Sequence, residues 1–400
     1  SHMWTTVLLT AAIFVSTEVQ VNLLQGDPVA GSISALNSQE ITLTGKGGDT
    51  QHALDQLQSI VFAQQAAPAK DATTLITLHD GSSFHAKSVT LTGEKCTLVI
   101  GDTQSFICRA DSIRDIQFKS LTDKALQQYQ QIIEADSAED ILIVQRQAGA
   151  IDQLEGIVEA INGEVVTFNF DGDKIPVEIT KLAGIRLVKP ANKQTSKSLC
   201  RITDTLNNVW QVSQLKLVAE NQELQVKTCT GESLTLNLSE LQRLDFASNN
   251  ILYLSDITPE AVEWTPFLSS NLIRKRLSKV YEPHLDISID GTPLMVGTES
   301  YSKGISIHSR TVMSLRLPDT YSKLQMDIGI DPATNGRGHV DLTILGDNKQ
   351  LFQDSVAGSD KPRTLDINIV GVRRITINVD YGKHLDIGDQ LNMGNARVLK

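Results

Sequence analysis

The chain has 400 residues, 40% hydrophobic and 21% charged, a globular composition at a length that one hydrophobic core seldom serves, so two or more domains are expected. Its formal net charge of −11 argues against nucleic acid as a partner, because phosphate contacts need a basic surface. No apolar run reaches the about 20 residues of a membrane-crossing helix, so no stable membrane span is expected.

Residues 1–3 (SHM) read as an expression remnant. Residues 4–15 (WTTVLLTAAIFV) form an apolar run of signal-peptide length without a basic start or a clear small-x-small cleavage site. Two readings of segment 4–17 stay open: the remnant of an export signal, or an edge strand on the first folded unit. Self-similarity then organises the chain up to residue 246. A nine-residue closing pattern occurs four times, as LDQLQSIVF (54–62), ADSIRDIQF (110–118), ITKLAGIRL (179–187) and LSELQRLDF (238–246). Upstream of each lie alternating strands and turns. The first unit has Val19, Val21 and Leu23, a Gly26-Asp27 turn, then Val29, Gly31 and Ile33; the second has residues 75–78, Asp80-Gly81 and residues 84–89. Period-2 alternation predicts strands, and the spacing of Leu54, Leu57 and Ile60 predicts one helical or 3₁₀ turn before the last strand.

Five strands and one such turn in about 50 residues look like a small SH3-like or Sm-like barrel, whose closure hides the sheet edges. The expected barrels are 18–65, 72–119, 139–189 and 198–247. Sm-like rings bind RNA, but this acidic array lacks the basic surface that would need; protein partners along the array stay open. A connecting helix is predicted within 120–138, where residues 121–135 place Leu126, Tyr129, Ile132 and Ile133 on one stripe suited to packing between barrels two and three. Polar residues 189–197 read as a linker, and 247–250 (ASNN) as the boundary of the array. Gly45-Lys46-Gly47-Gly48 reads as a hairpin turn rather than a phosphate loop, since it lies between strands and opens no helix.

The four cysteines, Cys96, Cys108, Cys200 and Cys229, fit no zinc or haem spacing. Cys96 and Cys108 flank Gly101-Asp102 almost symmetrically and so face each other across a hairpin. In an exported protein Cys96–Cys108 and Cys200–Cys229 disulfides are plausible, buried thiols being the alternative.

From about residue 250 the pattern changes. Residues 315–317, 340–345, 365–370 and 375–379 alternate as strands with polar loops between them. The run YSKGISIHS (301–309), with Tyr301, Lys303, Gly304, His308 and Ser309, is followed by IGIDPATNGRGHVDLTILGDNKQLF (328–352), VGVRRITINVDYG (370–382) and GDQLNMGNARVL (388–399). These segments, with YLSDITPEAVEW as a first strand, resemble the NPCBM family of carbohydrate-binding modules, found on exported glycosidases and other secreted proteins. The resemblance covers residues 251–400 and implies a galactose-binding-like jelly-roll β-sandwich. The chain departs from the family at Met393, where Trp is usual, so a role resting on an aromatic platform there is not carried over. The expected fold is therefore all-β: four tandem small β-barrels, one connecting helix and the sandwich.

No catalytic pattern is present: GxSxG, HExxH, GxxxxGK[ST] and GxGxxG are all missing, and with 47 acidic residues no carboxylate pair stands out. The basic run Arg274-Lys275-Arg276 reads as a solvated loop. The resemblance implies a binding region that includes Lys303, Gly304, His308 and Ser309. What a sugar asks of a site completes the expected carbohydrate-binding set of Tyr301, Lys303, His308, Asn335 and Arg337, with Tyr301 offering an apolar face and His308, Asn335 and Arg337 reaching hydroxyls. Asp331, Asp386 and Asp389 are candidates for a structural Ca²⁺, since loop carboxylates suit hard cations. The reading is an exported, non-catalytic protein that binds polysaccharide or glycoprotein sugars, galactose-type favoured, in the periplasm, at the cell envelope or outside the cell. The alternative is an envelope scaffold without sugar binding; a glycoside hydrolase would need a catalytic domain that the first 246 residues do not resemble.

Overall fold

The computed structural model describes residues 17–64, 74–101, 104–146, 149–191, 194–267, 279–383 and 385–400. The apolar run at 4–15 and the basic run at 274–276 lie outside the described residues. Two compact units divide the chain, the first ending at Asn249 and the second running from Asn250 to Lys400.

The first unit repeats one five-strand motif four times. Its strands are β1 (Glu18–Leu23), β2 (Val29–Leu36), β3 (Glu40–Gly45), β4 (Gly48–Ala53) and β5 (Leu57–Phe62) in the first repeat, then β6 (Thr74–Leu78), β7 (Ser83–Thr92), β8 (Lys95–Ile100), β9 (Gln104–Arg109) and β10 (Ile113–Gln117) in the second. The third has β11 (Asp140–Gln145), β12 (Ile151–Asn162), β13 (Val165–Phe170), β14 (Asp173–Glu178) and β15 (Leu182–Arg186). The fourth has β16 (Cys200–Asp204), β17 (Val209–Val218), β18 (Glu223–Thr228), β19 (Ser233–Asn237) and β20 (Leu241–Asp245). In every repeat the first strand pairs antiparallel with the second and the fifth, and the second, third and fourth follow as a meander. The 3₁₀ turn expected at each closing pattern is present at Leu54–Gln56, Ala110–Ser112, Ile179–Lys181 and Leu238–Glu240. Each long second strand carries a register shift in its ladder with the third, as between Ile33 and Ala35 or Val158 and Ala160. Such a bulge bends a strand and lets a short meander curl over its own core.

The repeats are joined to one another by strand pairing. Strand β5 pairs antiparallel with β20, β10 with β15, and β12 with β7, so the first repeat joins the fourth and the second joins the third. The physical reason lies in the fifth strands. Their residues Leu57 and Ile60, or Leu182 and Ile185, are fully buried, and pairing two of these strands covers edges that would otherwise stay open. Buried residues of all four repeats form one contiguous cluster. Trp210 of the fourth repeat has its ring centroid 4.1 Å from Phe84 and 5.2 Å from Phe106 of the second. The closing residues Phe62, Leu187 and Phe246 are buried, whereas Phe118 is only half-buried.

Helix α1 (Asp123–Glu134) rests on the third repeat through Tyr129 and Ile133, against Ile141, Ile143 and Ala183; Leu126 and Ile132 are half-buried. Gly184 makes room for it, since a Cβ there would lie 2.7 Å from the Tyr129 hydroxyl and 2.4 Å from Ile116 O. That hydroxyl donates to Asp115 Oδ2 at 3.2 Å. Cys96 and Cys108 stand directly opposite each other on β8 and β9, as their spacing implies. Neither expected disulfide is formed: all four cysteines are buried thiols, and burial pushes Cys229 up to about 11 and Cys200 up as well.

The second unit is a two-layer sandwich. One sheet has the order β23 (His284–Leu285), β26 (Gly304–His308), β33 (Gln390–Leu399), β28 (Lys323–Ile330) and β31 (Arg363–Asn368), with β21 (Ile251–Tyr253) also on β33. The other runs β22 (Ala261–Trp264), β27 (Thr311–Arg316), β32 (Arg374–Tyr381), β29 (His339–Gly346) and β30 (Lys349–Ala357), while β24 (Leu294–Val296) and β25 (Glu299–Tyr301) form a hairpin. Inward residues alternate along each strand, Leu324, Met326, Ile328 and Ile330 on β28 facing Val340, Leu342 and Ile344 of β29 in one core. Met393 is fully buried in that core opposite Ile305 and Ile328, so the position where the family has Trp is a packing position and no platform.

Candidate functional site

The chain crosses from one sheet of the sandwich to the other between His308, the last residue of β26, and Thr311, the first of β27. Register places this crossing at one end of the sandwich, because His308 lies opposite Gln390 and Thr311 opposite both Trp264 and Val379. The end of β28, the start of β29 and the end of β32 arrive there too. Asp331 fixes the loop after β28. Its carboxylate accepts from Ala333 N at 2.9 Å, Ser288 Oγ at 2.7 Å and Asn392 Nδ2 at 2.9 Å, capping a 3₁₀ turn, Pro332–Thr334. The turn ends at Asn335 in a left-handed conformation, φ 54°, and leaves Asn335 and Arg337 exposed, with Arg337 Nε donating to Thr334 O at 3.1 Å. Gly338 then touches the neighbouring loop so closely that a Cβ would sit 2.0 Å from Gly388 O.

His308 is 6% exposed, not open to solvent as a sugar-facing side chain would be. Its Nδ1 lies 2.6 Å from Ser309 O, a carbonyl that only accepts, so the proton sits on Nδ1. Its ring centroid is 4.4 Å from Tyr281, which stacks on Trp264 at 5.2 Å, and Trp264 Nε1 donates to the same Ser309 O at 3.2 Å. Ser309 Oγ donates at 2.7 Å to Asp389, which also accepts from His339 N at 2.9 Å. Burial raises the Asp389 carboxyl above its ordinary range against these hydrogen bonds. His308 and Asp389 therefore fasten the crossing to the loops around it.

An aromatic surface lies beside this frame. Phe267, 44% exposed, meets Tyr381 edge-on at 5.4 Å, and the Tyr381 hydroxyl donates to Thr265 O at 2.5 Å. Arg310 Nε pairs with Asp380 at 3.6 Å, and Ile387 is exposed on the loop that meets Gly338.

Of the five expected site residues, His308, Asn335 and Arg337 come to this end. Tyr301 and Lys303 do not: Gly304 pairs with Gly394 at the far end of β26, about 13 Å from His308 at 3.3 Å per residue. There Tyr301 is half-buried with its ring over Gly394 and its hydroxyl donating to Asp327 Oδ2 at 3.1 Å. Lys303 Nζ donates to Asp256 Oδ1 at 2.6 Å and Asp286 Oδ2 at 2.9 Å, partners that hold its ammonium charged. Both fasten segments of the sandwich together. Among the described residues no three His, Cys, Asp or Glu side chains gather into a group, and Asp331 and Asp389 are engaged by the bonds above. Sequence reading missed Trp264, Phe267, Tyr281 and Tyr381, which come from segments far apart in the chain and carry no shared motif.

No match was found among curated proteins. Similar solved structures include a CBM51 from Clostridium perfringens GH95 in complex with methyl-galactose, 19% identical over 37% of this chain and 99% of that one, TM-score 0.31. Tandem CBM51 modules of Sp3GH98 from Streptococcus pneumoniae SP3-BS71 are 10% identical over 64% of this chain and 88% of that one, TM-score 0.31. The M60 catalytic domain with two CBM51 domains of Clostridium perfringens ZmpB is 13% identical, TM-score 0.32; the match covers 96% of this chain but spans only 46% of that one. The family model of the NPCBM/NEW2 domain matches residues 254–399.

Proposed function

We propose that residues 251–400 form a carbohydrate-binding module that takes its sugar at the loop end of the sandwich, with galactose-type sugars as the favoured class. The observation that carries this reading is the placement, at the same end of the sandwich, of exposed Asn335 and Arg337 and of the aromatic pair Phe267 and Tyr381. A sugar ring asks for both: an apolar face to lie against, and donors and acceptors in fixed positions for its hydroxyls. The NPCBM/NEW2 match over the same residues supports it.

In this reading the Arg337 guanidinium and Asn335 amide bond the hydroxyls, each bond worth about 1 kcal/mol net and more from the charged group. His308, Ser309, Trp264, Tyr281 and Asp389 are positioning residues that hold the crossing and the two loops in register. The protein binds rather than cleaves, and it acts after export, on polysaccharide or glycoprotein at the envelope or outside the cell. A glycan-array screen of the intact chain tests this. Binding to terminal galactose-bearing glycans, diminished in Arg337→Ala, is expected; an array without any bound glycan would overturn it.

A further inference from the structure

Within the first unit, the turn between β2 and β3 of the first repeat rises beside the outer face of β17, β18 and β19 of the fourth, and the two enclose a groove of about 700 Å³. The wall is fastened rather than merely adjacent. Ser38 Oγ accepts from Leu215 N at 3.0 Å and donates to Leu215 O at 3.1 Å, and Asn37 makes a β-bridge with Lys216. The floor is a polar sheet face. Gln214 lies opposite Lys227, Lys216 opposite Gln225, and Gln225 and Lys227 opposite Thr235 and Ser233. All six point outward because their neighbours Leu215, Leu224, Val226 and Leu236 are buried in the core.

Charge and chemistry narrow what this groove takes. Among the groove's lining residues Lys216 and Lys227 are the charged side chains, and no ion pair within the described residues neutralises either. As diagonal neighbours on paired strands they stand about 7–8 Å apart at their bases, close enough for one extended ligand to meet both. The acidic residue on the same face, Glu223, lies beyond the lining and is engaged by Asn221 Nδ2 at 3.4 Å. In a chain of net charge −11, two unneutralised ammonium groups side by side are a local attractor for anions. Between them stand amides and hydroxyls, which both donate and accept, and the lining holds no aromatic side chain. Recognition comes from side chains on a sheet face rather than from an open backbone edge, which disfavours an added peptide strand.

We propose that this groove is a second binding site, independent of the sandwich, for an acidic oligosaccharide: a sugar chain carrying carboxylate or sulfate groups, held by Lys216 and Lys227 and read through its hydroxyls by Gln214, Gln225 and Thr235.

Calorimetric titration of the intact chain with tetragalacturonate tests it, beside maltotetraose as a neutral probe and hexaglutamate as an acidic peptide. The parent should bind tetragalacturonate, weaken as salt rises, and bind neither comparator as tightly. The double variant Lys216→Gln/Lys227→Gln should lose at least tenfold in affinity with an unchanged melting temperature, since both side chains are exposed. Lys46→Gln, which removes a lysine away from the groove, should bind as the parent does. Failure of the parent to bind, equal binding by the double variant, an equal loss in Lys46→Gln, or preference for hexaglutamate would each overturn the proposal.

Discussion

Truncating Trp210 to alanine should loosen the joint between the second and fourth repeats. The indole is fully buried, with Phe84 and Phe106 of the second repeat at 4.1 and 5.2 Å. A large aromatic side chain buries about 200 Å², which at about 25 cal/mol per Å² amounts to about 5 kcal/mol. Alanine keeps the Cβ, so the measured loss for such a truncation is about 3–5 kcal/mol, to which two aromatic pairs add about 0.5–1.5 kcal/mol each. Against a total of about 5–15 kcal/mol for a domain, Trp210→Ala leaves the unit marginal, and Trp210→Phe serves as the milder variant. Urea unfolding followed by far-ultraviolet circular dichroism should show the transition of the first unit moved to much lower urea in Trp210→Ala and moved part of the way in Trp210→Phe. A loss under about 1 kcal/mol in Trp210→Ala would refute the shared core and restore four independent repeats.

Gly184→Ala should cost about 1–3 kcal/mol by pressing its methyl on the Tyr129 ring and Ile116 O, read as a lower melting temperature; no change would show that α1 is not seated as described. Glu260 accepts from Arg374 at 2.6 Å and from Arg316 at 3.4 Å, which depress its carboxyl below 4.5, so their support of β22 is present above that value and lost as pH falls through the depressed one. Glu260→Gln should therefore differ from the parent in thermal melts at pH 7, and the gap should narrow as pH falls below 4.5; a gap independent of pH would contradict this. The four thiols should resist a thiol reagent in the native chain and all react in denaturant, whereas fewer than four in denaturant would reveal a disulfide. Gly338→Ala should push the loops at the sandwich end apart and weaken sugar binding more than it lowers the melting temperature, and equal affinity in calorimetry would remove Gly338 from the site.

The local patterns were legible because they rest on neighbours in sequence. The four closing patterns could be read because Leu54, Leu57 and Ile60 and their counterparts combine a 3₁₀ turn with a period-2 strand, both short-range signals. The face-to-face placement of Cys96 and Cys108 followed from counting across one hairpin. The joining of β5 to β20 was not legible, since it depends on which buried edge finds which partner across 180 residues and no local preference encodes it. At the sandwich, the run of residues 301–309 was read as one site, yet a strand carries its two ends about 13 Å apart, so Tyr301 and His308 serve opposite ends. Trp264, Tyr281 and His308 meet only through the fold, and burial by those rings is what turns a histidine read as sugar-facing into one that braces the loops.

Isothermal titration of a galactose-containing oligosaccharide into the intact protein, Arg337→Ala and Lys303→Ala tests the central claim most directly. The account predicts saturable heat in the parent, at least a tenfold loss of affinity in Arg337→Ala with an unchanged melting temperature, and undiminished affinity in Lys303→Ala, whose ammonium is spent on Asp256 and Asp286 at the other end of the sandwich. Heat that survives in Arg337→Ala but disappears in Lys303→Ala would place the sugar at the wrong end and contradict it.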